Sequence, residues 1–189
     1  MHPDRRKWNA KHAAKSWPGI PAALVRRFHH LAPRGRALDL AAGSGRHALF
    51  LARQGYRVDA LDISDGGLRR FARRHPNIRA ACVDLEHFSI PPRRYDLIVN
   101  IRYLSRRLMP YIVAGLRPGG VVIFETFLRP RPLLPEDRHR EAYFLRENEL
   151  LNLLAPLRVL YYRESGSQPP DHPFPRVALV ALNDSKQPC

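Results

Sequence analysis

Two glycines and three spaced aspartates are the residues best placed to do chemistry. Leu38-Asp-Leu-Ala-Ala-Gly43-Ser-Gly45-Arg46 reads as a strand, a tight turn and the start of a helix. Glycines at the bend remove side chains where backbone must approach a ligand. A helix start offers free N–H groups and the positive end of its dipole. Nucleotide folds use that geometry to cradle a phosphate or carboxylate. The glycine pair alone is a weak signal, because Gly43-Ser-Gly-Arg-His-Ala48 also fits the dinucleotide fingerprint G-x-G-x-x-A. Two further acids sharpen it. Asp62 closes the second predicted strand, where a carboxylate can accept both hydroxyls of a ribose. Asp84 closes the third, within reach of an adenine amino group. Each acid also has a plainer role as a cap or turn residue, and Asp84 could simply open a turn before Glu86.

Asp39 discriminates between ligands. A carboxylate beside the glycine turn favours a cationic group and opposes a pyrophosphate. Other chemistries fit poorly. Ala42 stands where a nucleophile elbow around Ser44 would need glycine. No lysine follows the turn as a phosphate-binding loop requires. The nine histidines show no metal-ligand spacing, so no metal is expected.

These residues need a layered frame. Strand and helix patterns alternate along the chain, which predicts a parallel sheet with helices on both faces. Strands are expected at 37–41, 56–62, 78–84, 96–100, 120–127, 157–162 and 177–182. Helices are expected at 21–31, 45–53, 65–74, 105–116 (bent at Pro110) and 147–155. The expected fold is thus α/β, a three-layer doubly wound Rossmann-like sheet. It is mostly parallel, closes with an antiparallel C-terminal hairpin, and has strand order 3-2-1-4-5-7-6. Residues 1–19 form an N-terminal arm, residues 20–189 a single domain, and residues 128–142 a mobile loop or lid.

Composition narrows the class. A chain of 189 residues fits one core. Its charged start lacks the apolar stretch of a secretory signal, and no apolar run is long enough to span a bilayer. Cys82 and Cys189 cannot make a disulfide framework, so a cytoplasmic protein with reduced thiols is expected. The net charge of +15 comes mostly from arginine, scattered in pairs such as Arg26-Arg27 and Arg93-Arg94. Only Arg69, Arg70, Arg73 and Arg74 form a stripe at helical spacing. The charge suits an anionic small-molecule substrate. A nucleic-acid partner is disfavoured, because basic residues are neither concentrated nor interleaved with aromatics.

The motifs resemble a known superfamily. Leu38 to Arg46 resembles motif I of class I S-adenosylmethionine-dependent methyltransferases, and Tyr56-Arg-Val-Asp-Ala-Leu-Asp62-Ile-Ser64 resembles their second strand with its ribose-binding acid. Asp84-Leu85 resembles the adenine-contacting turn, and Tyr95 to Asn100 the fourth strand, whose end faces the transferred methyl. Leu116-Arg-Pro-Gly-Gly120 is a frequent companion motif. Gly45 to Tyr56, Phe124-Glu-Thr-Phe127 and Phe144 to Leu151 are similar to the small tellurite-resistance and thiopurine-type members. Trp8-Asn-Ala-Lys-His12 resembles their N-terminal Trp-Asp-x-Arg-Tyr segment, with His12 in place of Tyr.

The resemblance implies S-adenosyl-L-methionine as cofactor, contacted by Asp39, Ala41, Gly43, Gly45, Asp62, Ile63, Asp84, Leu85 and Asn100. It implies in-line transfer of the methyl to a small-molecule acceptor. Arg102 and Tyr103, with Glu125, Phe127, Arg140, Tyr143 and Phe144, are the candidate acceptor contacts. No general base stands out. Asn100-Ile-Arg-Tyr103 is not the Asn-Pro-Pro-Tyr type, and no Pro-Cys nucleophile is present. The alternatives are an RNA methyltransferase using the basic surface, an NAD-binding oxidoreductase, and a non-catalytic relative that binds the cofactor.

Overall fold

The computed structural model describes residues 3–14, 19–165 and 173–185. Five strands run parallel: β1 (Arg36–Leu40), β2 (Arg57–Asp62), β3 (Ile78–Cys82), β4 (Tyr95–Ile101) and β5 (Leu116–Phe127). Two antiparallel strands, β6 (Arg158–Ser165) and β7 (Arg176–Leu182), close one edge. The sheet order is β3-β2-β1-β4-β5-β7-β6, the order expected. β4 is buried at every position, which a strand covered on both faces requires.

Two apolar layers flank the sheet. Ala37, Leu97, Val99, Val121, Ile123 and Val180 face α2 (Ala23–Phe28), α3 (Arg46–Arg53) and α4 (Asp65–Arg69). Leu38, Leu40, Ile98, Val122, Phe124 and Leu179 face α5 (Met109–Gly115) and α6 (Glu149–Leu153). The period of two along each strand divides the layers. α1 (Pro3–Ala13) lies outside both, against α4, and buries only His12. Among the described residues no helix is long and apolar enough to cross a membrane.

Several element bounds differ from expectation. Ser64 caps α4, its Oγ accepting the Gly67 N–H at 3.0 Å. The helix nevertheless ends at Arg69 and gives way to turns, because Gly66 and Gly67 weaken it. β3 ends at Cys82, so Asp84 stands two residues past the strand. Pro110 does not bend a helix. It sits in the first turn of α5, where its missing N–H costs nothing, and 106–108 form a 3-10 turn. β5 starts at Leu116, taking in the Arg-Pro-Gly-Gly segment. Within the predicted loop, Pro135–Tyr143 forms 3-10 turns. These are pinned by Arg129 on Glu141 at 3.0 Å and by Arg106 donating to the Ala142 carbonyl at 2.9 Å. Trp17, Pro18, Cys189 and most of the 168–175 stretch lie outside the described residues.

Candidate active site

The parallel register of β1, β2 and β4 brings the ends of these strands together around the glycine turn. Asp62 reaches back across it. Its Oδ2 accepts the Gly43 N–H at 2.7 Å and its Oδ1 the Ser64 N–H at 2.7 Å. The side chain is buried, and that burial raises its pKa. The two N–H donors oppose the rise and nearby Asp39 adds to it. Gly45 N–H is also engaged, donating to the Ala42 carbonyl at 2.9 Å. The turn therefore spends two of its N–H groups internally, an arrangement ill suited to a pyrophosphate.

Left-handed backbone concentrates at these strand ends. Gly43 has φ +59° and Gly45 φ +83°, as their residue type permits. Ala41 (φ +52°) and Arg102 (φ +64°) adopt the same region without that freedom. Such strain persists only where the surroundings enforce it, and it clusters at functional sites. For Arg102 the restraints are its own N–H on the Glu125 carbonyl at 2.7 Å and the Asn100 side chain donating to the Tyr103 carbonyl at 2.7 Å.

Asp39 lies inside β1 and is 1% exposed, beneath the first turn of α3. Its Oδ1 is 3.7 Å from His47 Nδ1, and its buried Oδ2 has no hydrogen-bond partner. His47 Nε2 accepts the Ala22 N–H at 3.3 Å. That bond orients the ring with its Nδ1 toward Asp39. A buried acceptor without a donor is costly, and a ligand ammonium would satisfy it.

The N-terminal helix covers the turn. A Cβ on Gly43 would come within 2.8 Å of His12 Cε1, so the bend is capped by that ring. Asn9 anchors α1: its Oδ1 accepts from Ser64 Oγ at 2.7 Å and Gly66 N–H at 3.1 Å, and its Nδ2 donates to Asp65 at 2.9 Å. Arg70 donates to the His12 carbonyl. Beneath the turn, the buried Phe71 ring packs on Gly45.

The remaining predicted residues divide. Ile63 is half-buried beside the turn, and Leu85 packs in the apolar layer. Asp84 accepts the Glu86 N–H at 3.0 Å, keeping the turn role as well as a half-exposed carboxylate. Asn100 is buried. Tyr103 donates to Glu86 Oε1 at 2.7 Å and Ser105 to Glu86 Oε2 at 3.1 Å. Burial, and then the Glu86 carboxylate, push the Tyr103 phenol far above its ordinary pKa. Phe127 and Phe144 both pack on Phe174, at ring-centroid distances of 6.1 and 4.8 Å. The Arg140 guanidinium lies over the same ring at 5.8 Å. Phe144 is buried there, while Tyr143 is 60% exposed. A cavity of about 620 Å³ opens elsewhere, between Arg106, Arg129, Glu141 and Glu149, away from the glycine turn.

Sequence reasoning did not select Arg46, Arg176, Glu86 or Asn9. Arg46, the first residue of α3, lies within electrostatic range of Arg102, Asp39, Glu125 and Arg176. Arg176 Nη1 is 3.9 Å from Glu125 Oε1.

Residues 37–120 match the family model for a methyltransferase domain. The demethylmenaquinone methyltransferase of Beutenbergia cavernae is 33% identical over 105 residues, covering 52% of this chain and 43% of that protein. The chain spans less than half the length of the curated demethylmenaquinone methyltransferases it matches. Around the matched domain, the whole fold resembles solved structures. A SAM-dependent methyltransferase of Methanosarcina mazei aligns with TM-score 0.68 at 18% identity, over 87% of this chain and 98% of that one. TehB of Haemophilus influenzae aligns with TM-score 0.68 at 21% identity, over 94% of this chain and 66% of that one. The seven-stranded sheet thus shares the fold of these solved structures, and α1 lies over the glycine turn.

Proposed function

We propose that this protein is an S-adenosylmethionine-dependent methyltransferase acting on a small-molecule acceptor by in-line methyl transfer. The observation that carries the reading is the buried, donor-less Oδ2 of Asp39 beside a glycine turn whose N–H groups are committed to Asp62 and Ala42. Such a site favours a cationic adenosyl ligand and disfavours a dinucleotide. When bound, S-adenosylmethionine would supply the electrophilic methyl group.

The chain's own residues then bind, orient and shield. Asp39 and Asp62 present carboxylates from below and beside the turn, and Asp84 stands at the adjoining strand end. His12 and α1 cover the turn and limit water. Asn100 and the strained Arg102 hold the end of β4 in one conformation, which favours a fixed approach angle for the acceptor. Tyr103 does not serve as a base, because its hydroxyl is donated to Glu86 and its pKa is raised. The acceptor therefore supplies its own nucleophile, or loses its proton to water.

The RNA reading is weaker. Within its arginine stripe, Arg69 pairs with Asp65 and Arg70 binds the His12 carbonyl, so at least two of the four cations are engaged locally. Calorimetry with S-adenosylhomocysteine tests the main reading. Binding at micromolar to low-millimolar concentration is expected, and no heat at millimolar ligand would end it. Retention on an RNA column that falls steeply with salt would support the competitor.

A further inference from the structure

The parallel register gathers arginines that are scattered in the sequence onto one face of β1, β2 and β3. Val58, Ala60, Ile78 and Ala80 pack in the layer under α3 and α4. Their alternate neighbours Arg57, Asp59, Arg79 and Ala81 therefore face the other side. Arg36 lies beside Arg57 in the register, and Asp59 beside Arg79. Asp59 is already shared. It accepts from Arg36 Nε at 2.9 Å and from the Tyr95 hydroxyl at 3.0 Å, and Arg94 Nε is 4.0 Å away. Asp96 is occupied too, by the Arg36 N–H at 2.6 Å and Arg117 Nη1 at 3.3 Å. Among the described residues, the exposed guanidiniums of Arg57 and Arg79 make no ion pair or hydrogen bond.

The strand beside these arginines is an open edge, since β3 pairs with β2 alone. The Val58 N–H bonds the Asn77 carbonyl and the Val83 N–H bonds the Asp62 carbonyl, which fixes the ladder. In a parallel pair every second residue bonds a given neighbour, so Ala80 and Cys82 turn their N–H and C=O groups away from β2. Ala81 and Cys82 are exposed, and small side chains leave the edge open to approach. Residues 83–94, which link β3 to β4, hold no helix to cover this side.

Charge and surface chemistry select the occupant. A second copy carries the same net charge of +15 and would bring Arg79 toward its own kind. RNA finds no aromatic ring on β2 or β3 for its bases to stack on. A lipid surface finds no exposed large apolar side chain on either strand. An extended acidic chain matches both features. Its backbone can pair with the free edge, and alternate carboxylates can meet the guanidiniums.

We propose that the β3 edge docks an extended acidic segment of another protein, which joins the sheet as an added strand and lays alternate carboxylates against Arg79 and Arg57. The surface stands apart from the glycine turn, and the proposal does not depend on the methyl-transfer reading.

A capped peptide of four Thr-Glu repeats presents its carboxylates on one side of an extended strand and is the probe. It is titrated into the full chain beside Thr-Gln repeats of equal length, poly(U) RNA and phosphatidylglycerol vesicles. The acidic peptide is expected to bind at least tenfold more tightly than the neutral one. At saturation it should slow amide exchange at Ala80 and Cys82 at least tenfold, which charge attraction without strand pairing would not do. Arg57→Gln combined with Arg79→Gln, at exposed positions, should keep the urea midpoint and weaken the peptide at least tenfold. Arg163→Gln, on the opposite edge strand β6, should leave binding unchanged. Equal affinity for the two peptides, no binding at millimolar concentration, or unchanged exchange at Ala80 and Cys82 overturns the proposal. So does tighter binding of RNA or vesicles than of the acidic peptide through Arg57 and Arg79.

Discussion

The Asp62 carboxylate accepts the Gly43 N–H at 2.7 Å, tying the end of β2 to the bend after β1. The same side chain accepts the Ser64 N–H, so one buried acid fixes both the glycine turn and the entry to α4. Asp62→Asn would point an amide NH2 at one of two backbone donors. A loss of about 1–3 kcal/mol is expected from urea unfolding, with S-adenosylhomocysteine affinity falling at least tenfold in calorimetry.

The pH dependence of that residue has a definite sign. Burial raises the Asp62 pKa above its ordinary 3.8. The folded state therefore binds more protons than the unfolded one between the two values. The Asp62 contribution to stability is greatest below the unfolded value, declines as pH rises through the folded value, and is flat above. Urea midpoints across pH 3.5–7 should show this falling contribution in the wild type relative to Asp62→Asn. An opposite slope would mean that the N–H donors outweigh burial.

Substitutions at the two turn glycines separate. A Cβ at Gly45 would collide with the buried Phe71 ring, and its φ of +83° adds backbone strain. Gly45→Ala should cost about 2–4 kcal/mol, combining overpacking with the left-handed penalty. At Gly43 the obstacle is the movable His12 ring. Gly43→Ala should cost less, and should show up chiefly as faster hydrogen exchange in residues 3–13.

Tyr103 provides a test of whether a tyrosine base operates. With its phenol raised far above the ordinary value, Tyr103→Phe should leave the 295 nm absorbance titration unchanged up to pH 11. Tyr95, pushed up to about 12 by burial and Asp59, should also remain silent there. Loss of one tyrosine equivalent in the variant would show that Tyr103 ionises normally and is available as a base.

Asn9 makes three side-chain hydrogen bonds to the start of α4, yet α1 buries only one residue. Asn9→Ala should leave the global urea midpoint nearly unchanged. It should raise exchange rates across residues 3–13 by tenfold or more and weaken S-adenosylhomocysteine severalfold. A large global destabilisation would show that α1 is part of the core.

The individual strands and the glycine turn were legible because each rests on local pattern. Apolar runs such as Tyr95–Ile101 mark buried parallel strands, and Gly43 and Gly45 mark a bend that other residues enter only under strain. Element ends were less legible. The fifth strand is expected to start at Gly120, but the chain from Leu116 onward is drawn into β5. A helix is expected from Ser105, but it waits for Met109 and uses Pro110 in its first turn. The arginine cluster was not legible at all. Arg46 and Arg176 lie far apart in sequence, and only the register of β7 on β5 brings them together. The residue type of Asp39 marks it as a candidate ligand-side acid, but its depth beneath α3 follows from the alternation of β1 and not from the motif.

α1 is bound to the body of the protein by an asparagine, a histidine ring and an arginine, and hardly at all by apolar packing. A flap fastened in this way can swing clear without uncovering greasy surface, so opening carries little hydrophobic penalty. Entry to the glycine turn is then governed by three or four polar latches, while the seven-stranded sheet behind them stays intact.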